Sequence, residues 1–279
     1  MFYIFSQNFL KGKNKNDRDF LLFIDTLESN NINYTFLKDQ FDKVKSNDYI
    51  FLDIGSDDLS KYLNQLNQIK TENIYPNINV IPILYLKDNF CKFCESKGLK
   101  IPKTFYNIED TTNTDYPLIF KPVSGSLSEH LKICNNKQDV LKQINILQQD
   151  KNYFNKDYIL QEFIDTGENP CKYRVIYIGN DIKLTYKAVS LESKYFCSLL
   201  DDGKIHSIDI INNEVLKLAD EFIEHLQPDI DFAALDILQS TTGECYLLEC
   251  NAPTKLYRSS QATKENLYQT ILDFMLTKQ

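Results

Sequence analysis

The chain has 279 residues, 43% of them hydrophobic and 25% charged, with a formal net charge of −8. That balance is ordinary for a globular protein with a substantial core. The acidity argues against nucleic acid as the main ligand, because such binding is driven by a basic stripe that neutralises phosphates.

No apolar run reaches the ~20 residues that a bilayer span needs. The opening MFYIFSQNFLKGK lacks a basic start and a full apolar segment, so neither a signal peptide nor a membrane partner is expected. The seven cysteines then read as reduced thiols of a cytoplasmic protein.

FYIFS, at residues 2–6, opens as a strand, and DRDFLLFIDTLESN follows with apolar residues near the helical period. Lys11, Lys13 and Lys15 between them read as a solvated loop. NYTFL and YIFLDIG are predicted strands, DDLSKYLNQLNQIK an amphipathic helix, and INVIPILY a further extended run. Strands alternating with helices define a small parallel α/β unit over residues 1–85.

DNFCKFCESKGLKIPKTF predicts a helix stopped by Gly98. Its Cys91 and Cys94 form a CxxC that reads as packed helical thiols, since no second pair lies nearby to complete a zinc site. YPLIFKPV is a strand, QDVLKQINILQQD a helix, and YILQEFI a strand. CKYRVIYIGN and DIKLTYKAV form a hairpin turning at Gly179–Asn180–Asp181. NNEVLKLADEFIEHLQ is an Asn-capped amphipathic helix. FAALDILQ and ECYLLECNA form a second hairpin around Ser240–Gly243, and KENLYQTILDFMLTK closes the chain as a helix. Cys245 and Cys250 stand an odd number apart on one strand, so they are expected to face opposite ways.

Three polar residues gather on that second hairpin. Glu249 and Asn251 are two apart and share a face, and Asp236 lies on the partner strand among apolar neighbours. Oxygen ligands in this arrangement suit Mg²⁺, which takes one or two carboxylates and completes its shell with water and phosphate oxygens. The competing reading is a solvated outer face of an antiparallel sheet.

Lys121 ends the strand LIFK ahead of the loop Ser124–Gly125–Ser126, where it could reach a phosphate beneath backbone N–H groups. The competing reading is a surface lysine before a turn. In QEFI, an edge backbone flanked by apolar side chains can pair with an adenine ring, and Glu168 could accept ribose hydroxyls. No GxGxxG, Walker loop or GxSxG elbow is present.

Taken in order, Lys87 in LKDNF, Gly98–Pro102, IFKP, QEFI, YRVIYIG, LDIL and LLECNAP resemble the ATP-grasp superfamily over residues of about 80–275. The resemblance implies an α+β ATP-grasp fold, two subdomains clasping ATP, preceded by the small α/β pre-grasp domain. Its boundaries would be 1–85, 86–165 with the phosphate loop, and 166–279 with the metal site. It implies ATP and Mg²⁺ (or Mn²⁺) as cofactors. Lys87 and Lys121 look like the phosphate-holding lysines, with Ser124, Gly125 and Ser126 covering the phosphates. Gln161, Glu162, Phe163 and Ile164 look like the adenine hinge, with Glu168 on the ribose. Asp236, Glu249 and Asn251 look like the metal ligands. Arg174 matches an arginine that contacts phosphate or acceptor.

Two branches of the superfamily fit. One is the carboxylate–amine ligases, similar to those adding glutamate to ribosomal protein S6, which act through an acylphosphate on a small-molecule or peptide acceptor. The alternative is the inositol phosphate kinases, with His130 near that family's loop histidine and a polyol hydroxyl as acceptor. A third reading is a non-catalytic ATP-binding module. Several positions depart from the ligase pattern: Lys172 stands two before Arg174 where Asp is frequent, and Lys187–Ala188 replaces an arginine pair. Lys187 joins Arg174 and His130 as an expected catalytic group. Nothing in the sequence sets the number of copies in an assembly.

Overall fold

The computed structural model describes residues 1–6, 17–38, 41–53, 62, 64–124, 130–151, 156–190, 204–208, 212–252 and 254–278. The expected Lys11–Lys15 loop, Gly125 and Ser126, and residues 57–61 and 63 of the helix read from DDLSKYLNQLNQIK lie outside them.

Three sheets organise the described chain. Strands β1 (Phe2–Ser6), β2 (Tyr34–Phe36), β3 (Tyr49–Asp53) and β4 (Ile74–Tyr75) form a parallel sheet in the order β2-β1-β3-β4. Helix α1 (Arg18–Ser29) starts at Asp17, whose carboxylate accepts from the Asp19 and Phe20 N–H groups. Its buried Phe20, Phe23 and Leu27 recur at helical spacing and pack on Phe2 and Phe51 of the sheet. Each large apolar side chain so buried contributes roughly 1.5–3 kcal/mol.

The segment INVIPILY is not a strand. It carries helix α2 (Ile81–Tyr85), with Pro82 in the first turn, followed by α3 (Lys87–Ser96). Proline's fixed φ suits a first helical turn, and its missing N–H bars it from a central strand. Gly98 then ends the helical run in the left-handed conformation, at φ +69°.

The second sheet is small: β5 (Thr104–Phe105), β6 (Leu118–Pro122), β7 (Lys132–Cys134) and β8 (Tyr158–Glu162), in the order β5-β8-β6-β7. Helix α4 (Lys137–Gln149) covers it, placing Val140 and Leu147 against Phe120 and Leu160. The QEFI segment is therefore not an edge at its first two residues. Gln161 pairs with Thr104 on one side and Ile119 on the other, and the Glu162 N–H donates to Lys103 O at 2.9 Å.

The third sheet is antiparallel: β9 (Cys171–Ile178), β10 (Asp181–Val189), β11 (Lys204–Ile208), β12 (Phe232–Gln239) and β13 (Cys245–Asn251), in the order β11-β10-β9-β12-β13. One face buries Tyr173, Val175, Leu235, Ile237 and Leu247 beneath α5 (Asn213–Glu224), α2 and α3. The other packs Ile176, Tyr186 and Ala234 with α1 and α7 (Leu267–Thr277), the latter preceded by α6 (Tyr257–Thr263).

A β-bulge decides the faces of β13. Asp236 is opposite Glu249 while Ile237 is opposite Leu247, which leaves Leu248 as an extra residue. Alternation thus slips by one. Cys245 and Cys250 both join the core under α5, against the expectation that they face apart. The same slip turns Glu249 and Asn251 onto the face of Asp236, away from Leu247.

Candidate active site

Strand register gathers one polar set on the third sheet. Arg174 on β9 is opposite Asp236 on β12, which is opposite Glu249 on β13. Asn251 is opposite Ala234 on the same face, and its Nδ2 donates to Glu249 Oε1 at 3.3 Å. Lys172 is two residues before Arg174, so alternation aims it at this face as well.

Asp236 is fully buried. Arg174 Nε donates to its Oδ1 at 2.6 Å, Arg174 Nη2 donates to Oδ2 at 3.0 Å, and Lys172 Nζ also donates to Oδ2. Burial alone would raise the carboxyl's pKa. The Arg174 and Lys172 charges outweigh it and hold Asp236 well below the usual carboxylate range. Lys172 and Arg174 are correspondingly raised, with Asp236 overcoming the burial that lowers them.

Lys121 approaches from β6 of the small sheet. It is 9% exposed, and its ammonium donates to the amide oxygen of Gln161 on the neighbouring β8. Gln161 is buried too, and its Nε2 donates to Thr104 Oγ1 at 3.0 Å and to Cys91 Sγ at 3.3 Å. Burial pushes Lys121 down to about 8. The charges of Lys87 and Lys172 act in the same direction, and those of Cys91 and Glu249 oppose it. Lys121 is therefore within electrostatic reach of Lys87 at the start of α3 and of Lys172 and Glu249 on the larger sheet. Lys87 is fixed at the start of α3, where its N–H donates to Val123 O at 3.2 Å, just past Lys121. Ser124 follows at 2% exposure, and its Oγ has no hydrogen-bond partner among the described residues.

Other expected site residues lie apart. Lys187 is opposite Tyr173, on the face of the sheet away from Arg174, and its ammonium sits 5.7 Å from the Tyr173 ring centroid. Strand alternation excludes it from the Arg174 cluster. His130 adopts φ +55° and shares a 2.8 Å hydrogen bond with Asp150 at the end of α4. Glu162 is exposed, and its Oε2 accepts from the Lys103 N–H at 3.3 Å. Ile164 is buried, Phe163 is half-buried, and Glu168 is exposed beyond the turn at Gly167. Cys91 and Cys94 are buried, and burial pushes the Cys91 thiol up to about 11, which suits packing rather than redox chemistry.

Sequence reading missed the partners of Gln161, namely Cys91 and Thr104. It took Lys172 only as a departure from a pattern. The signal for Lys172 was its even spacing from Arg174 on one strand.

The chemistry of the donor set fits a nucleotide: two buried or half-buried lysines and an orphaned hydroxyl at the end of a small sheet, facing carboxylates on a larger one. A divalent ion fits in part. Glu249 and Asn251 offer oxygens, whereas both oxygens of Asp236 already accept from cations. Among the described residues no helix is long and apolar enough to cross a membrane.

Two antiparallel-built subdomains with a parallel unit before them, and polar residues facing across the gap, define the ATP-grasp fold. The model of the RimK-like ATP-grasp domain matches residues 99–275, and the chain belongs to that family. The RimK-domain ATP-grasp protein of Sphaerobacter thermophilus superposes with a TM-score of 0.66 at 11% identity, over 99% of this chain and 100% of that one. ATP-grasp ligase PsnB, solved with a phosphomimetic variant of its minimal precursor, Mg and ADP, superposes with a TM-score of 0.62 at 12% identity, over 99% of this chain and 97% of that one. D-alanine--D-alanine ligase of Fusobacterium nucleatum is 27% identical over 179 residues, 62% of this chain and 58% of that enzyme. The match thus spans somewhat under three fifths of that relative's length.

Proposed function

We propose that the chain is an ATP- and Mg²⁺-dependent carboxylate–amine ligase. The observation that carries this reading is Lys121, a buried cation bonded to a neutral amide, followed three residues on by the buried and unsatisfied Ser124 hydroxyl. A buried charge without a counter-ion is costly, and a phosphate would supply one. Lys87 adds a second cation from the start of α3. Glu249 and Asn251 would hold the divalent ion, which would neutralise phosphate oxygens and polarise the transferring group. Ile164, past the end of β8, would flank adenine, while Phe163 continues the hinge.

Arg174 is fixed by Asp236 and would meet the acceptor's carboxylate or the transferred phosphoryl group. The carboxylate oxygen would attack the γ-phosphorus, ADP would leave, and an amine would then attack the acyl carbon with loss of phosphate. Ligation rather than polyol phosphorylation is favoured by the relatives, which are named as ligases. His130, on which the kinase alternative leaned, is engaged by Asp150.

The test is to incubate the chain with ATP, Mg²⁺, hydroxylamine and pools of amino acids, short peptides and inositol phosphates. Hydroxamate formed in step with ADP would mark the acylphosphate. Phosphate appearing on a polyol, with no hydroxamate from any carboxylate, would reject the ligase reading.

A further inference from the structure

Asp236 is one of three residues expected to hold a divalent ion, yet its carboxylate is already neutralised by side chains of this chain. Three hydrogen bonds from two cations reach its two oxygens. An ionised carboxylate has about four lone-pair sites, so little acceptor capacity is left. The arrangement is also built by the backbone: Arg174 and Asp236 are opposite one another on adjacent strands, Lys172 is two residues along, and Asp236 is fully buried. Glu249, opposite Asp236 on its other side, accepts from Asn251. The site is therefore divided, with a cation-filled half around Asp236 and an open oxygen pair at Glu249 and Asn251.

Charge counting supports the division. Among the described groups that act on Lys121, Arg174 or Asp236, the cations Lys121, Lys172 and Arg174 outnumber the carboxylates Asp236 and Glu249. A second divalent ion on Asp236 would have to expel the Lys172 ammonium into a region already positive, and like charges at such distances repel strongly in a desolvated site.

We propose that Lys172 is a resident cation on Asp236, and that the chain accordingly takes up a single divalent ion per bound nucleotide, at Glu249 and Asn251. This rests on the nucleotide reading above and assigns Lys172 a role that a metal would otherwise have. Lys172 is here a positioning residue: it holds Asp236, which in turn orients Arg174.

The test counts Mn²⁺ on the full chain with a non-hydrolysable ATP analogue, by the loss of the free-ion paramagnetic resonance signal. One ion per analogue-bound chain is expected. Asp236→Asn should keep that ion, and Glu249→Gln should lose it. Lys172→Asp, which exchanges the ammonium for a further carboxylate, should raise the count to two. Two ions on the unaltered chain, loss of the ion in Asp236→Asn, or a count still at one in a folded Lys172→Asp would each overturn the inference. Should Lys172→Asp fail to fold, the first two counts decide. Binding of the analogue with two ions would defeat this inference alone, whereas no binding of the analogue at all would defeat the nucleotide reading and this inference with it.

Discussion

Lys121 donates its hydrogen bond to the amide of Gln161 rather than to a carboxylate. Both side chains are buried. An amide oxygen satisfies an N–H but leaves the charge uncompensated, so burial pushes the lysine from its ordinary 10.5 to about 8. The folded chain holds this proton less tightly than the unfolded one. The stability penalty is therefore full below pH 8 and is relieved as pH rises from 8 towards 10.5.

A phosphate beside Lys121 would restore its proton. Nucleotide affinity should be highest below pH 8 and decline as pH rises past it, with net proton uptake on binding near pH 8.5. Calorimetry in buffers of different ionisation enthalpy measures that uptake, and a value of zero would separate Lys121 from the phosphates. Lys121→Met should weaken the nucleotide by about 1–3 kcal/mol, the scale of a charged hydrogen bond, and should stabilise the ligand-free protein at neutral pH.

Gln161 offers the complementary change. Gln161→Leu strips Lys121 and Thr104 of their partner and should destabilise the protein by about 1–3 kcal/mol, the cost of unsatisfied buried groups. Gln161→Glu supplies a counter-charge instead, so it should raise the Lys121 pKa and flatten the decline in nucleotide affinity above pH 8. Urea denaturation followed by circular dichroism gives the first value. An unchanged midpoint in the leucine variant would show that the amide is not what Lys121 depends on.

How much of this was legible in the sequence follows from period and register. α1 and α5 were readable because apolar residues recur near 3.6 spacing, in α5 behind a capping Asn. The order of IFKP, QEFI, YRVIYIG, LDIL and LLECNAP carried the fold. The strands Ile74–Tyr75, Thr104–Phe105 and Lys132–Cys134 were missed, being too short to show alternation. Within the candidate site, Asp236, Glu249 and Asn251 were singled out by residue type, but their common face depends on a bulge at Leu248 that no local pattern announces. Lys187 was misplaced for the same kind of reason: it is one residue from Tyr186, which is opposite Arg174, and a single step along a strand changes the face. The Gln161–Cys91–Thr104 contacts join segments remote in sequence, and such contacts are invisible to periodicity.

Asp236 should govern acid stability. Its carboxyl is held below the ordinary 3.8 by Arg174 and Lys172 against the opposing effect of burial. The lowered pKa contributes stability that is fully present above the unfolded value and is lost as pH falls through 3.8 and below. In Asp236→Asn that contribution is absent at every pH, so stability should be lower at neutral pH and fall less steeply between about pH 5 and 3. Parallel denaturation slopes for the two proteins across this range would show that Arg174 and Lys172 do not hold the carboxylate in its charged form.

The bulge supplies the most severe test of the site. Leu247 is opposite Ile237 and Glu249 is opposite Asp236, so deleting Leu248 joins two pairs already in step on β12. Regular alternation then keeps Leu247 and Cys250 on the apolar face beneath α5, and Glu249 and Asn251 on the face of Asp236. Leu248→Ala keeps the bulge, and Leu248 is only half-buried, so that variant should lose little stability. Both variants should therefore fold and keep Mn²⁺-dependent nucleotide binding, read from the melting temperature and from the free-ion resonance signal. If the folded deletion variant lost the metal–nucleotide pair while Leu248→Ala kept it, the pairing of Glu249 with Asp236 would not be what aims Glu249 and Asn251 at the site.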